Sequence, residues 1–225
     1  MKILVINPNS DENFSKDMEV CGRDFMGKRH VVDARCVPSA PKFIVTDYEK
    51  SLAIPGLVKL FQEEEPHYEA FITAAFCDPA IHILRELTSK PVLGIGECSI
   101  KLATMLGSSF SILTFYDRSI PSLHEQVAAL GMEKYLASIR VLEEDDPSLP
   151  YEERFYPSAQ KAVYQDKAEV LILGCGGLTN GVDKKLSQRL HVPVLDGLIC
   201  ALIVASGLAE YGVGTSKICR YKKEY

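Results

Sequence analysis

Short runs of Val, Ile and Leu, almost unbroken by polar positions, recur along this chain of 225 residues. They are KILVIN (2–7), HVVDARCV (30–37), EAFITAAF (69–76), PVLGIG (91–96), SFSILTF (109–115), SIRVL (138–142), AEVLILG (168–174) and VPVLDG (192–197). Runs this short, with little apolar/polar alternation, predict strands buried on both faces. Longer mixed segments lie between most of them. These predict helices over 11–27, 51–64, 79–89, 98–106, 119–130 and 153–166. Strand and helix in regular alternation predict parallel sheets with helices on both faces.

The chain also echoes itself. PVLGIGECSIKLA (91–103) lies on PVLDGLICALIVA (193–205), with Cys98 on Cys200. Just upstream, FITAAFCDPA (71–80) corresponds to LILGCGGLTN (171–180), and LVINP (4–8) parallels ILTFY (112–116). Such a repeat predicts an α/β fold of two pseudo-symmetric parallel-sheet halves, with the active site in the cleft between them. The first half is expected over residues 1–97 and the second over 98–197. The C-terminal helix within 198–225 should pack back on the first.

Composition removes several classes of function. The net charge of −5 and the lack of a basic run argue against a nucleic-acid partner. The most apolar stretch, 192–213, contains Asp196 and Glu210 and several glycines, which suits a strand plus a core helix better than a membrane span. The apolar run in MKILVINPNS is too short for a secretory signal. Seven cysteines, an odd number, argue against a disulfide framework, and no C-x-x-C or H-E-x-x-H signals a metal. The expectation is a cytoplasmic protein with reduced thiols, most of them small core residues, and a small-molecule substrate.

In parallel α/β sheets, ligands bind beyond the carboxyl ends of the strands. Four stretches fall there: NPNS (7–10), FCDP (76–79), TFYDRS (114–119) and GCGGLTN (174–180). Cys175 ends a strand and is followed by Gly176 and Gly177, which let the backbone approach a ligand and turn N–H groups toward it. Such N–H groups stabilise a thiolate or an enolate oxygen. The plainer reading is a small buried Cys in a tight turn. Cys77 precedes Asp78 and Pro79, a good N-cap and first helical residue, so a helix dipole would lower its thiol pKa. The plainer reading is that Asp78–Pro79 serves only to start a helix. Asn7 and Asn9 either donate to substrate or form an Asx turn with Ser10 as N-cap. Thr114 holds the position matching Asn7. Arg118 is a candidate anion ligand, and Cys98 a third candidate thiol. The acidic segment 142–157 reads as a solvated loop.

These residues, in order, resemble the aspartate/glutamate/hydantoin racemase superfamily, closest to its hydantoin and allantoin racemase branch. The resemblance rests on ILVINPNS (3–10), DPA (78–80), GIGE (94–97), FSILT with RSIP (110–121), LILGCGGL (171–178), VPVLDG (192–197) and GTSK (214–217). It implies proton transfer without a cofactor at a carbon next to a carbonyl. Two cysteines act from opposite faces, one as thiolate base and the other as thiol acid. It implies Cys175 and Cys77 as the catalytic pair, with Asn7, Asp78, Thr114, Gly176 and Gly177 binding substrate. It also implies a homo-oligomer. One departure stands out. Hydantoin racemases place their first cysteine three residues before the Asp–Pro pair, where this chain has Ala75. That opens a rival, a one-thiol decarboxylase or cis–trans isomerase, since the superfamily includes an arylmalonate decarboxylase of that kind. Asp78–Pro79 and Gly176–Gly177 favour a ring amide over a free α-amino acid.

Overall fold

The structure, a computed structural model, describes residues 1–144, 146–176 and 181–222. By internal contact the chain divides into two units, Met1–Ile95 with Ala201–Tyr225, and Gly96–Cys200. The first unit contains β1 (Lys2–Asn7), α1 (Glu12–Met26), β2 (Val31–Cys36), α2 (Asp47–Glu64), β3 (Ala70–Thr73), α3 (Ile81–Leu87) and β4 (Val92–Gly94). α4 (Ile95–Leu106) leads on to β5 (Phe110–Thr114), α5 (Ile120–Ala129), β6 (Leu136–Val141), α6 (Tyr151–Tyr164), β7 (Val170–Leu173), α7 (Val182–Leu190) and β8 (Val194–Asp196). α8 (Gly197–Tyr211) follows.

Among the described residues each unit has one four-stranded sheet, ordered β2-β1-β3-β4 in the first and β6-β5-β7-β8 in the second. All pairs are parallel. The fold is therefore the α/β arrangement that the alternation predicts. Every residue of β3, β5 and β7 is buried, as continuous apolar runs require when helices cover both faces. The order is the same in both units because the repeat is real in three dimensions. Ile6 and Gly94 pair with Thr73, and Leu113 and Asp196 pair with Leu173. This register refines the sequence alignment by one residue at the first strand: Leu4 corresponds to Ser111, and Asn7 to Thr114.

Each unit has its own core. In the first, Phe61 and Phe71 meet at 4.7 Å among Leu57, Leu84 and Val92. In the second, Phe155 meets Phe115 at 4.9 Å and packs with Leu171, Leu173 and Leu186. Both cores include buried aromatic side chains packed among aliphatic ones. The tail of the first unit lies along α3. The Thr215 N–H donates to the Ser89 carbonyl (2.8 Å), and Lys217 Nζ donates to the Arg85 carbonyl (2.7 Å). No helix among the described residues is long and apolar enough to cross a membrane.

The structure corrects several local expectations. α1 is capped by Asp11, whose carboxylate accepts from the Phe14 N–H at 3.1 Å, and not by Ser10. α2 begins at Asp47 rather than 51, because Thr46 and Glu49 form a reciprocal capping box. The acidic segment 142–157 is not all loop. From Tyr151 it is helix, with Phe155 buried and Glu153 bound to Arg189 at 2.7 Å. Of the seven cysteines Cys98 and Cys200 are shielded as whole residues, Cys21, Cys36, Cys77 and Cys175 are half-buried, and Cys219 lies exposed on the tail.

Phe155 is fully buried in the second core. Phe155→Ala should destabilise that unit by about 3–5 kcal/mol, the cost of lost transfer energy plus a cavity. A loss of unfolding free energy in urea titration below about 1 kcal/mol would contradict this placement.

Candidate active site

The residues singled out by sequence gather at the carboxyl ends of the strands, unit by unit. In the first unit β1 ends at Asn7, and the chain leaving β3 runs beside it, with the Ala74 N–H donating to the Ile6 carbonyl at 2.8 Å. Asn7 is fully buried. Its Nδ2 donates to Asn9 Oδ1 (2.7 Å), Ser15 Oγ (3.0 Å) and the Asp11 carbonyl (3.2 Å). Its Oδ1 accepts from the Asn9 N–H at 3.3 Å. Two amide hydrogens already serve three acceptors, so this side chain closes the turn into α1 instead of reaching out to a ligand. The Asx-turn reading of NPNS is the one the geometry supports.

Beyond β3 the chain makes a strained loop. Asp78 and Ala80 both take positive φ, 45° and 58°. The left-handed region costs a residue with a β-carbon roughly 1–2 kcal/mol, less for Asp than for Ala. α3 starts only at Ile81, with Ala80 at the cap and no side-chain cap bond. Asp78 is therefore not the N-cap, and Cys77 does not sit at a helix N-terminus. The expected fall in its thiol pKa is reversed. Desolvation of the sulfur pushes it up to about 12, against an opposing pull from Lys50, and neighbouring Asp78 adds a lesser push upward. At neutral pH Cys77 is a thiol and not a thiolate. Asp78 is 8% exposed and folds back over Gly94, the last residue of β4.

The second unit repeats this geometry with different residues. β5 ends at Thr114, which is buried and shares a 2.8 Å hydrogen bond with Ser119 Oγ. The chain leaving β7 runs beside it, and the Gly174 N–H donates to the Leu113 carbonyl at 2.7 Å. A β-carbon at Gly174 would come within 2.8 Å of that carbonyl oxygen, so only glycine allows the close approach. Cys175 and Gly176 follow and are partly exposed. Gly177 lies outside the described residues. Arg118 is exposed and stacks on Tyr116 (5.3 Å). Cys98 is buried within α4.

One group escaped the sequence reading. Asp196 ends β8, 8% exposed, and its Oδ1 accepts from the Leu198 and Ile199 N–H groups at 2.8 and 3.3 Å. It is the true cap of α8. Burial raises its pKa to about 6, with a further push from Asp183 and an opposing pull from the two N–H donors. The signal lay in VPVLDG itself, an Asp directly before an apolar helix.

The sequence matches the Asp/Glu/Hydantoin racemase family over residues 3–204. The chain belongs to that family. As a member it is an isomerase of the racemase type. Over its whole length it is 36% identical to the hydantoin racemase of Pseudomonas sp. (strain NS671), covering 94% of that protein. It is 32% identical to the hydantoin racemase of Paenarthrobacter aurescens, over 99% of this chain and 97% of that one. Among solved structures, the allantoin racemase from Klebsiella pneumoniae superposes with a TM-score of 0.93 at 25% identity, covering 99% of this chain and 93% of its own.

For the racemase chain, the protonation of Asp196 gives a measurable signature. Its folded pKa, about 6, lies above the usual 3.8, so the native state binds the proton more tightly than the unfolded chain between those values. Stability should therefore fall as pH rises through that window and level off above it, by on the order of 2–3 kcal/mol in all. Asp196→Asn keeps the oxygen acceptor and removes the titration. The variant should gain on the wild type as pH rises from 4 to 7 in paired thermal melts. Parallel melting profiles would show that Asp196 ionises normally.

Proposed function

We propose that the protein racemises a hydantoin- or allantoin-like compound without a cofactor, by moving the proton on the carbon next to a ring carbonyl. What carries the reading is Cys175, held at the end of β7 between Gly174 and Gly176, in a chain 36% identical to a hydantoin racemase along its full length. Cys175 as thiolate takes the proton. The electron pair moves onto the carbonyl oxygen, giving an enolate, and backbone N–H groups near Gly176 and Gly177 hold that oxygen. Cys77 enters the cycle as the protonated partner and returns a proton to the opposite face of the carbon, consistent with burial keeping it a thiol. Thr114 orients the ring from its strand end. Substrate and two thiols suffice, and the protein works as a homo-oligomer in the cytoplasm.

A second reading rests on one observation. In the repeat, Ala75 occupies the place of Cys175, so the first unit has no thiol at the matching strand end. If Cys77 does not reach the carbon, Cys175 alone remains. A single thiol suits a reaction in which the carbanion arises by loss of carbon dioxide from a malonate, and Cys175 then delivers one proton. It also suits addition to and release from maleate.

The two readings separate in deuterated water. Proton NMR of single enantiomers of 5-substituted hydantoins and allantoin should show loss of the α-proton signal and growth of the opposite enantiomer. Exchange of none of these, with carbon dioxide release from a malonate or fumarate from maleate, would establish the second reading. Cys175→Ser should lower the rate at least about a thousandfold, as removal of a group acting directly on the reacting carbon does. Cys77→Ala should cost far more activity than Cys21→Ala, and equal effects would return Cys77 to a structural role.

A further inference from the structure

The repeat exposes an exchange of side chains between the units. Thr73 pairs with Gly94 in the first unit, and Leu173 pairs with Asp196 in the second, so Gly94 and Asp196 are equivalent positions. In the second unit, the side chain at this position is a carboxylate that accepts the first N–H groups of the following helix. In the first unit, the position has no side chain. Its space is already filled: a β-carbon built on Gly94 would stand 2.2 Å from Asp78 Cγ and Oδ1, and 2.6 Å from Oδ2. The carboxyl that the strand lacks is thus present, delivered from a loop sixteen residues upstream.

We infer that Asp78 is a positioning residue, a carboxylate clamp that docks the strained loop 75–80 onto the end of β4 in the place its counterpart Asp196 fills from the strand itself. The loop needs such an anchor. Two non-glycine residues in it hold positive φ, which persists only when surrounding contacts over-determine it. The Asp78 N–H adds a turn bond to the Ala75 carbonyl (2.9 Å), and the Ile81 N–H reaches the Asp78 carbonyl (3.3 Å). Asp78 therefore ties both flanks of the loop to the sheet. Cys77 is the adjacent residue, so the clamp sets where that thiol points. Asp78 in this role does not bind substrate. Gly94 is glycine because the clamp occupies its β-carbon site.

The catalytic consequence rests on Cys77 belonging to the site, while the clamp itself does not, so stability and activity are read separately. Asp78→Ala, Gly94→Asp and the double variant are made in the full chain. Asp78→Ala removes the clamp. Gly94→Asp forces two carboxylates into one space. The double variant rebuilds in the first unit the arrangement of the second. Each single variant should melt below the wild type, and the double variant should recover most of the loss. On the substrate identified by proton exchange, Asp78→Ala should lower kcat about tenfold or more, with KM changed less than about threefold, as expected for a misplaced catalytic group. The double variant should regain kcat. A double variant that melts no higher than the worse single overturns the clamp. A rise in KM alone for Asp78→Ala, not restored in the double variant, makes Asp78 a substrate contact instead. If the wild type exchanges no proton on any substrate, the racemase reading fails and the melts alone decide the clamp.

Discussion

Burial of the central strands on both faces is the constraint from which the rest follows. β3, β5 and β7 expose nothing, and all of β1 beyond Lys2 is buried. A strand in that position cannot carry a charged or reactive group along its length without leaving it unsolvated. Chemistry is therefore confined to the points where these strands end. Asn7, Ala74–Asp78, Thr114 and Gly174–Gly176 stand at such points because nowhere else in the sheets will hold them. The same burial sets their proton affinities. It raises Cys77 and Asp196 above their ordinary values, and in each case outweighs the neighbouring charges and hydrogen bonds.

Duplication then makes the differences between the units informative. Backbone register is conserved between them while side chains are not. The strand-end thiol is present as Cys175 and absent as Ala75. The carboxylate after the fourth strand is present as Asp196 and displaced to Asp78. Both departures in the first unit fall within one loop of a few residues, and this loop also holds the two non-glycine residues with positive φ. The loop that lacks the strand-end thiol is also the one whose Asp78 side chain fills the space beside Gly94. Single-residue accounts of Ala75 or Cys77 miss that coupling.

Much of the fold was legible because two-sided burial writes itself as uninterrupted Val, Ile and Leu. All eight predicted strands are found, within a few residues. What stayed hidden depended on contacts distant in sequence. Nothing local in FCDPA reveals that Asp78 turns back to Gly94 instead of capping α3, because the sequence Asp–Pro is equally good for both. The start of α2 was missed although Thr46 and Glu49 spell a capping box, because its first turn has no apolar face to announce it. α7 went unnamed for a similar reason: only Val182, Leu186 and Leu190 mark its buried side, in a mostly charged segment. Of the candidate site, the place of Cys175 and Gly176 just beyond the end of β7 was legible from the strand-end pattern. The state of Cys77 was not, since a thiol pKa depends on what packs around the sulfur and not on its neighbours in sequence.

The proton inventory narrows the mechanism further. A group that must abstract a proton from carbon at neutral pH needs an accessible basic form, and a thiol titrating near 12 has almost none. If the two-thiol reading holds, Cys77 enters the cycle carrying its proton, and the abstraction falls to Cys175. Each turnover then leaves the charge on the group least able to keep it, so the return of that proton becomes the demanding step. A clamp that fixes the Cys77 loop matters most there: the energy of an ionised Cys77 depends on how closely its surroundings are held. Loosening the loop would let water in and lower that thiol's pKa, yet it would also let the sulfur drift from the carbon. The strained backbone of residues 78–80 is consistent with a fold that favours position over proton affinity.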